Sequence, residues 1–170
     1  MSITTHLKEP LACTEKERRA FADLVRQGFE GSDANLPNRI RDAKCLAFHY
    51  AGGDILAAIA GLKVPDELYR DDVFRKAKAP VDYAAYPLEL GWIFVVPAYR
   101  GSRIGERLCR QLLERAPEAS VFATTRPDNS VMIRVLLALG FARAGNPFSH
   151  VRRDEELLLF LRPVRPVAGR

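Results

Sequence analysis

The stretch "VVPAYRGSRIGERL", residues 95–108, leads from an apolar segment into a helical one through an arginine, two glycines and two further arginines. Ile104, Leu108 and Leu112 recur at steps of four, and Pro117 stands beyond the last of them, so the spacing predicts strand, glycine turn, helix. Glycine removes the side chain where backbone must approach a ligand. The first turn of a helix aims unpaired N–H groups and a partial positive charge outward. Gly101 and Gly105 at such a junction point to an anion, and Arg100 and Arg103 add charge-assisted bonds that suit a pyrophosphate. A plain connection would use the same residues. No Gly-Lys-Ser/Thr follows, which excludes a P-loop, and the spacing is not the Gly-x-Gly-x-x-Gly dinucleotide fingerprint.

Outward from this turn the chain alternates between the two periodicities. "LELGWIFVV" (88–96) reads as the strand before the turn, "SVFATT" (120–125) as the next strand, "NSVMIRVLLALGF" (129–141) as a helix stopped by Gly140, and "ELLLFLRP" (156–163) as a last strand. Upstream, "TEKE" at Thr14 to Glu17 has capping-box spacing ahead of an apolar stripe, Phe21, Leu24, Val25 and Phe29, which predicts a helix over 15–29. A short helix starts at Leu36 or Pro37. "KCLAFHYAGGDILAAIAGLKV" (44–64) is a hairpin about Gly-Gly-Asp. Residues 66–87 give one helix, with Tyr69 and Phe74, and then a loop with Tyr83 and Tyr86. The predicted order is α α β β α β α β α β, an α/β chain with a mixed sheet and helices on its faces.

Composition sets limits on function. The 170 residues fit a single domain, 1–170, with residues 163–170 as a frayed tail. With 48% hydrophobic and 28% charged residues and no apolar run near ~20 residues, the chain reads as soluble, with no membrane partner. The amino terminus lacks the order of a secretory signal, and Cys13, Cys45 and Cys109 have neither paired nor metal-type spacing, so the expectation is cytoplasmic, with no metal. A net charge of +5 admits nucleic acid, an acidic surface or a polyanionic cofactor. The basic residues are scattered and no nucleic-acid motif accompanies them, so no nucleic-acid partner is expected.

The strand bearing Glu89, the turn at 95–108, then "TTRPDNS" (124–130) and "LLALGF" (136–141), in that order and spacing, resemble the GNAT superfamily of acetyl-CoA dependent N-acetyltransferases. The family's Arg/Gln-x-x-Gly-x-Gly/Ala signature falls on Arg100 to Gly105, with Arg103 in place of the middle glycine. The resemblance implies a mostly antiparallel sheet that splays at a bulge between the fourth and fifth strands. It implies acetyl-CoA as cosubstrate, its pantetheine arm paired with backbone of Phe94, Val95 and Val96. The pyrophosphate would sit on the amides of Arg100, Gly101, Ser102, Arg103, Ile104 and Gly105, and Asn129 would bond the arm. Read by itself, Asn129 is a helix cap. Dimerisation stays open, since family members often pair through sheet edges.

Glu89 lies in an apolar strand eight residues before Pro97, where many members keep a glutamate as general base. A carboxylate there can take the proton of the attacking ammonium, directly or through a water; a structural carboxylate is the alternative. Leu136 falls where much of the family has a tyrosine as general acid. Tyr83, Tyr86, Ser149 and His150 are candidate substitutes, or the thiolate leaves unaided. His49 and Cys109 read as packing residues. The amine side maps to residues 29–41, "VDYAAYP" (81–87) and the turn "GNPFSHVRRDEE" (145–156), with Tyr83 and Tyr86 as a cation-binding face and Asp33, Asp82 or Glu155 as partners. The implied function is direct acetyl transfer to a primary amine of a small molecule, peptide or protein. The alternative is a catalytically weak module that binds acyl-CoA for sensing or regulation.

Overall fold

The computed structural model describes residues 3–29, 33–150 and 154–165. They fall into two compact units, Met1–Val64 with Leu90–Ala116, and Pro65–Glu89 with Pro117–Arg170.

The first unit holds strands β1 (Ile3–Lys8), β2 (Cys45–Ala51) and β3 (Ile55–Lys63), most of β4 (Leu88–Val95), and helices α1 (Glu15–Gly28), α2 (Leu36–Arg41) and α4 (Ile104–Leu113). The strands follow in the order β1-β2-β3-β4, with β1 and β3 antiparallel to β2. Thr14 and Glu17 close the expected capping box, Glu17 N–H donating to Thr14 Oγ1 at 3.1 Å and Thr14 N–H to Glu17 Oε2 at 2.8 Å. The stripe behind that box buries Phe21, Leu24 and Val25 with Leu36 and Ile40 of α2 and Leu46, Phe48 and Ile59 of the hairpin. Each such side chain contributes about 1.5–3 kcal/mol when fully buried. The hairpin reverses where expected, at Gly52 and Gly53, both at positive φ.

The second unit holds α3 (Glu67–Ala77), the first two residues of β4, β5 (Val121–Thr125), α5 (Ser130–Ala138), β6 (Ala142–Ser149) and β7 (Glu156–Arg162). Its strand order is β4-β5-β7-β6. β5 runs parallel to β4 through two pairs, Leu88↔Val121 and Glu89↔Phe122, whereas β7 is antiparallel to both β5 and β6. So short a parallel register is consistent with the expected splay. Val73, Phe74, Tyr86, Phe122, Phe148, Leu159 and Leu161 form the core.

Two readings of the sequence are corrected. β1 was absent from the predicted order because "ITTHLK" is largely polar and has no buried residue, and only its six-pair register with β2 makes it a strand. β6 begins before, and runs through, residues expected to be a turn. Its alternation is broken by Gly145 and Pro147, where the register with β7 shifts between Ala144 and Phe148, as a bulge requires. At the start of the segment expected to fray, Val164 N–H donates to Ser120 Oγ at 2.8 Å, and residues 166–170 lie outside the described residues. Among the described residues, no helix is long and apolar enough to cross a membrane.

Candidate active site

The expected anion turn belongs to the first unit. After β4 the chain makes a short 3-10 turn, Pro97–Tyr99, and then enters α4 through Gly101 at φ +94° and Arg103 at φ +56°. Arg103, the residue that replaces a glycine of the signature, thus adopts the left-handed conformation a glycine would hold, at a cost of about 1–2 kcal/mol. Arg103 is also the N-cap of α4 and its side chain makes no capping bond. The first bond of the helix runs from Arg107 N–H to the Arg103 carbonyl at 3.1 Å, which leaves the amides of Ile104, Gly105 and Glu106 ahead of it without an intrahelical acceptor. A methyl group added at Gly101 would meet no described atom within 4 Å. Ser102 Oγ–H donates to the Tyr99 carbonyl at 3.4 Å, and Arg100, Gly101, Ser102 and Arg103 are exposed. Together these are uncapped amides, two guanidinium groups and room for an anion.

On β4, Trp92 stands at φ +51°, a left-handed residue inside a strand and the mark of a bulge. Its ring meets Phe21 edge to face at 5.8 Å and lies under the cations of Arg39 (5.6 Å) and Lys63 (5.2 Å). Gly61 makes room for it, since a methyl there would come within 2.6 Å of Trp92 Cε3. Of the three residues expected to offer backbone to a pantetheine arm, Val96 cannot. Its N–H donates to the Ala57 carbonyl and its carbonyl accepts from Tyr99 N–H, both at 2.9 Å, because the chain is already turning into Pro97–Tyr99. Strand alternation places Phe94 on the same edge as Val96 and directs Val95 to the other. On that other edge the Val95 carbonyl accepts Nε–H of Arg100 at 3.0 Å, and the Arg100 guanidinium lies 5.9 Å from the Phe94 ring.

The second unit carries Glu89. It is 3% exposed, in register with Phe122, and Oε1 accepts the hydroxyl of Tyr69 from α3 at 3.3 Å. The sequence placed Tyr69 on a helix with Phe74 and gave no sign of its partner twenty residues on. Asn129 caps α5, Oδ1 accepting Met132 N–H at 3.1 Å, which is the bland reading of that residue; the cap does not use the donor amide. Leu136 is fully buried.

The residues expected on the amine side have partners of their own. Tyr83 and Tyr86 lean on Phe74, with ring centroids 5.2 and 5.5 Å away. Tyr86 is a core residue at 7% exposure, and burial raises its phenol above the usual range, so its ring serves packing and not the expected open cation-binding face. Tyr83 is partly buried on the same cluster. The acids expected to meet an amine have local partners: Asp33 pairs with Arg39, Asp82 accepts Ala84 N–H at 3.1 Å, and Glu155 lies 3.9 Å from Arg126. Residues 30–32 and 151–153 of the expected amine side lie outside the described residues. Ser149 ends β6, and His150 N–H donates to the Glu155 carbonyl at 2.9 Å.

Two side chains take the packing roles expected of them. Cys109 is fully buried on α4 and burial pushes its thiol up to about 12, which removes it as a nucleophile. His49 is 3% exposed, its Nδ1 2.9 Å from Thr5 Oγ1, and burial, then the charge of Arg107, lower its pKa.

Comparison with known proteins agrees with this geometry. The acetyltransferase (GNAT) family model matches residues 11–141. The chain is 30% identical to the N-alpha-acetyltransferase RimI of Mycobacterium tuberculosis over 138 residues, 79% of this chain and 78% of that protein. An acyl-CoA N-acyltransferase from Pseudomonas aeruginosa has the same fold at 15% identity, with a TM-score of 0.69 over 95% of this chain and 99% of its own. So does a Salmonella typhimurium protein solved with its cofactor acetyl-CoA, at 14% identity and a TM-score of 0.68 over 98% and 96%. The matched family model, the RimI relative and the turn that carries the family's signature agree: this chain belongs to the acetyltransferase (GNAT) family.

Proposed function

We propose that residues 1–170 act as one domain that moves the acetyl group of acetyl-CoA directly to a primary amine. The observation that carries this reading is the turn at Arg100–Gly105, where Gly101 and Arg103 stand at positive φ ahead of an uncapped helix. Amides from Gly101, Ser102, Arg103, Ile104 and Gly105 hold the pyrophosphate, and Arg100, whose own N–H donates to the Pro97 carbonyl at 3.3 Å, neutralises it with its guanidinium together with Arg103. Val95 offers the strand edge to the pantetheine arm, and the Asn129 amide donates to it. The Salmonella neighbour's cofactor supports acetyl-CoA as the ligand.

Glu89 takes the proton from the amine, directly or through a water, as nitrogen bonds to the thioester carbonyl carbon. The carbon–sulfur bond then breaks and the electron pair leaves with the thiolate. Leu136 cannot protonate that sulfur. A free thiol has a pKa of ~8.5, so the thiolate departs unaided. The name of the RimI relative makes the α-amino group of a peptide the first acceptor to test. Three buried free cysteines suit a reducing compartment, and the proposed location is the cytoplasm. The absent tyrosine at Leu136 favours one competing reading, an acyl-CoA binding module without transfer.

Glu89→Gln separates the two. General bases contribute typically 10²–10⁴-fold, so thiol release with a peptide amine falls at least about 100-fold while the dissociation constant of acetyl-CoA stays within about twofold. A wild-type protein that binds acetyl-CoA and releases no thiol with any amine is the binding module.

A further inference from the structure

We infer that Tyr69 is a positioning residue for Glu89, so that α3, a segment the family signature does not touch, sets the geometry of the proposed base. This rests on the reading of Glu89 given above. The hydroxyl of Tyr69 donates to Glu89 Oε1 at 3.3 Å, long for an O–H···O bond, as bonds to catalytic groups often are before substrate binds. The phenol is aimed from both ends. Its backbone lies in the first turn of α3, where Asp66 Oδ1 accepts the N–H groups of Leu68 (2.9 Å) and Tyr69 (3.3 Å). Its ring packs on the cluster of Val73, Phe74 and Phe122, in which Phe74 and Phe122 meet edge to face at 5.1 Å.

The same cluster is joined to the strand that carries the carboxylate, because Phe122 is the β5 residue in register with Glu89. The far end of α3 is held as closely. A methyl at Gly145 of the β6 bulge would stand 2.1 Å from the Ala77 carbonyl oxygen, so bulge and helix are in backbone contact there. Helix, tyrosine and carboxylate are thus one packed body. A carboxylate on a strand turns about its terminal side-chain torsions, and a hydroxyl donor from a fixed helix restrains that rotation. A bond whose only role is to hold α3 in place would have no bearing on turnover.

Tyr69→Phe removes one oxygen and keeps the ring. With saturating acetyl-CoA and a peptide amine, kcat falls about tenfold, while KM for the amine and the acetyl-CoA dissociation constant stay within about twofold. In the Glu89→Gln background the same change has no further effect, because its route to the reaction has been removed. The positioning role is overturned if kcat of Tyr69→Phe stays within twofold of wild type, if KM alone moves, or if the tenfold loss recurs in the Glu89→Gln background. A silent Tyr69→Phe beside an impaired Glu89→Gln sinks this inference and leaves the base in place. A fully active Glu89→Gln sinks both.

Discussion

Gly101 in the turn before α4 and Gly145 in the bulge of β6 both stand at positive φ, at +94° and +64°, and they answer to opposite demands. A methyl at Gly101 would touch no described atom within 4 Å, whereas one at Gly145 would lie 2.1 Å from the Ala77 carbonyl oxygen and 3.2 Å from Ala79 nitrogen. The first glycine keeps space open beside uncapped amides. The second is consumed by packing against α3. The same residue type in the same backbone region therefore leaves open space in one place and makes a tight joint in the other, and what the side chain would meet distinguishes them.

The largest effect expected from this contrast is on folding. Gly145→Ala combines a left-handed alanine with a clash against backbone that has no rotamer to yield, about 3 kcal/mol together and a melting point lower by roughly 10 °C. A melting point within 2 °C of wild type would show that the bulge and helix are not in contact. Arg103→Gly is the converse test in the open turn. It relieves about 1 kcal/mol of left-handed strain but adds a similar backbone entropy cost, so stability changes little. The loss of its guanidinium weakens acetyl-CoA about tenfold, and the loss shrinks as salt is added. Unchanged affinity would leave only the backbone of Arg103 with a role. The smallest effect belongs to Gly105. A methyl there meets Ile93 Cγ2 at 3.5 Å and Val95 Cγ2 at 3.7 Å, ordinary contacts, so Gly105→Ala keeps stability within about 0.5 kcal/mol and affinity within about twofold. A tenfold loss would mean that backbone approach at Gly105 is closer to the ligand than at Gly101.

The turn was legible because its signals are local. Two glycines, the arginines between an apolar segment and a helical stripe, and the order of the flanking elements specify strand, turn and helix without knowledge of any distant residue. The capping box at Thr14 was readable for the same reason. What escaped depends on partners far along the chain. Tyr69 and Tyr86 look alike in sequence, yet one donates to Glu89 while the other sits in the core, and only the packing around Phe74 tells them apart. The engagement of Val96 likewise follows from Ala57, thirty-nine residues upstream, and from the turn at Tyr99. β6 was missed because Gly145 and Pro147, which normally end strands, here build a bulge inside one.

Binding of the acetyl-CoA pyrophosphate by the proposed turn at Arg100–Gly105 is tested by the melting point of the protein with acetyl-CoA, CoA and NAD at matched concentrations. At about 100 times the dissociation constant a ligand adds about 2.7 kcal/mol, roughly 5–10 °C for a chain of this size. With the pyrophosphate held at this turn, acetyl-CoA and CoA both raise the melting point by that order and NAD does not. No shift with either CoA compound, or an equal shift with NAD, would contradict it.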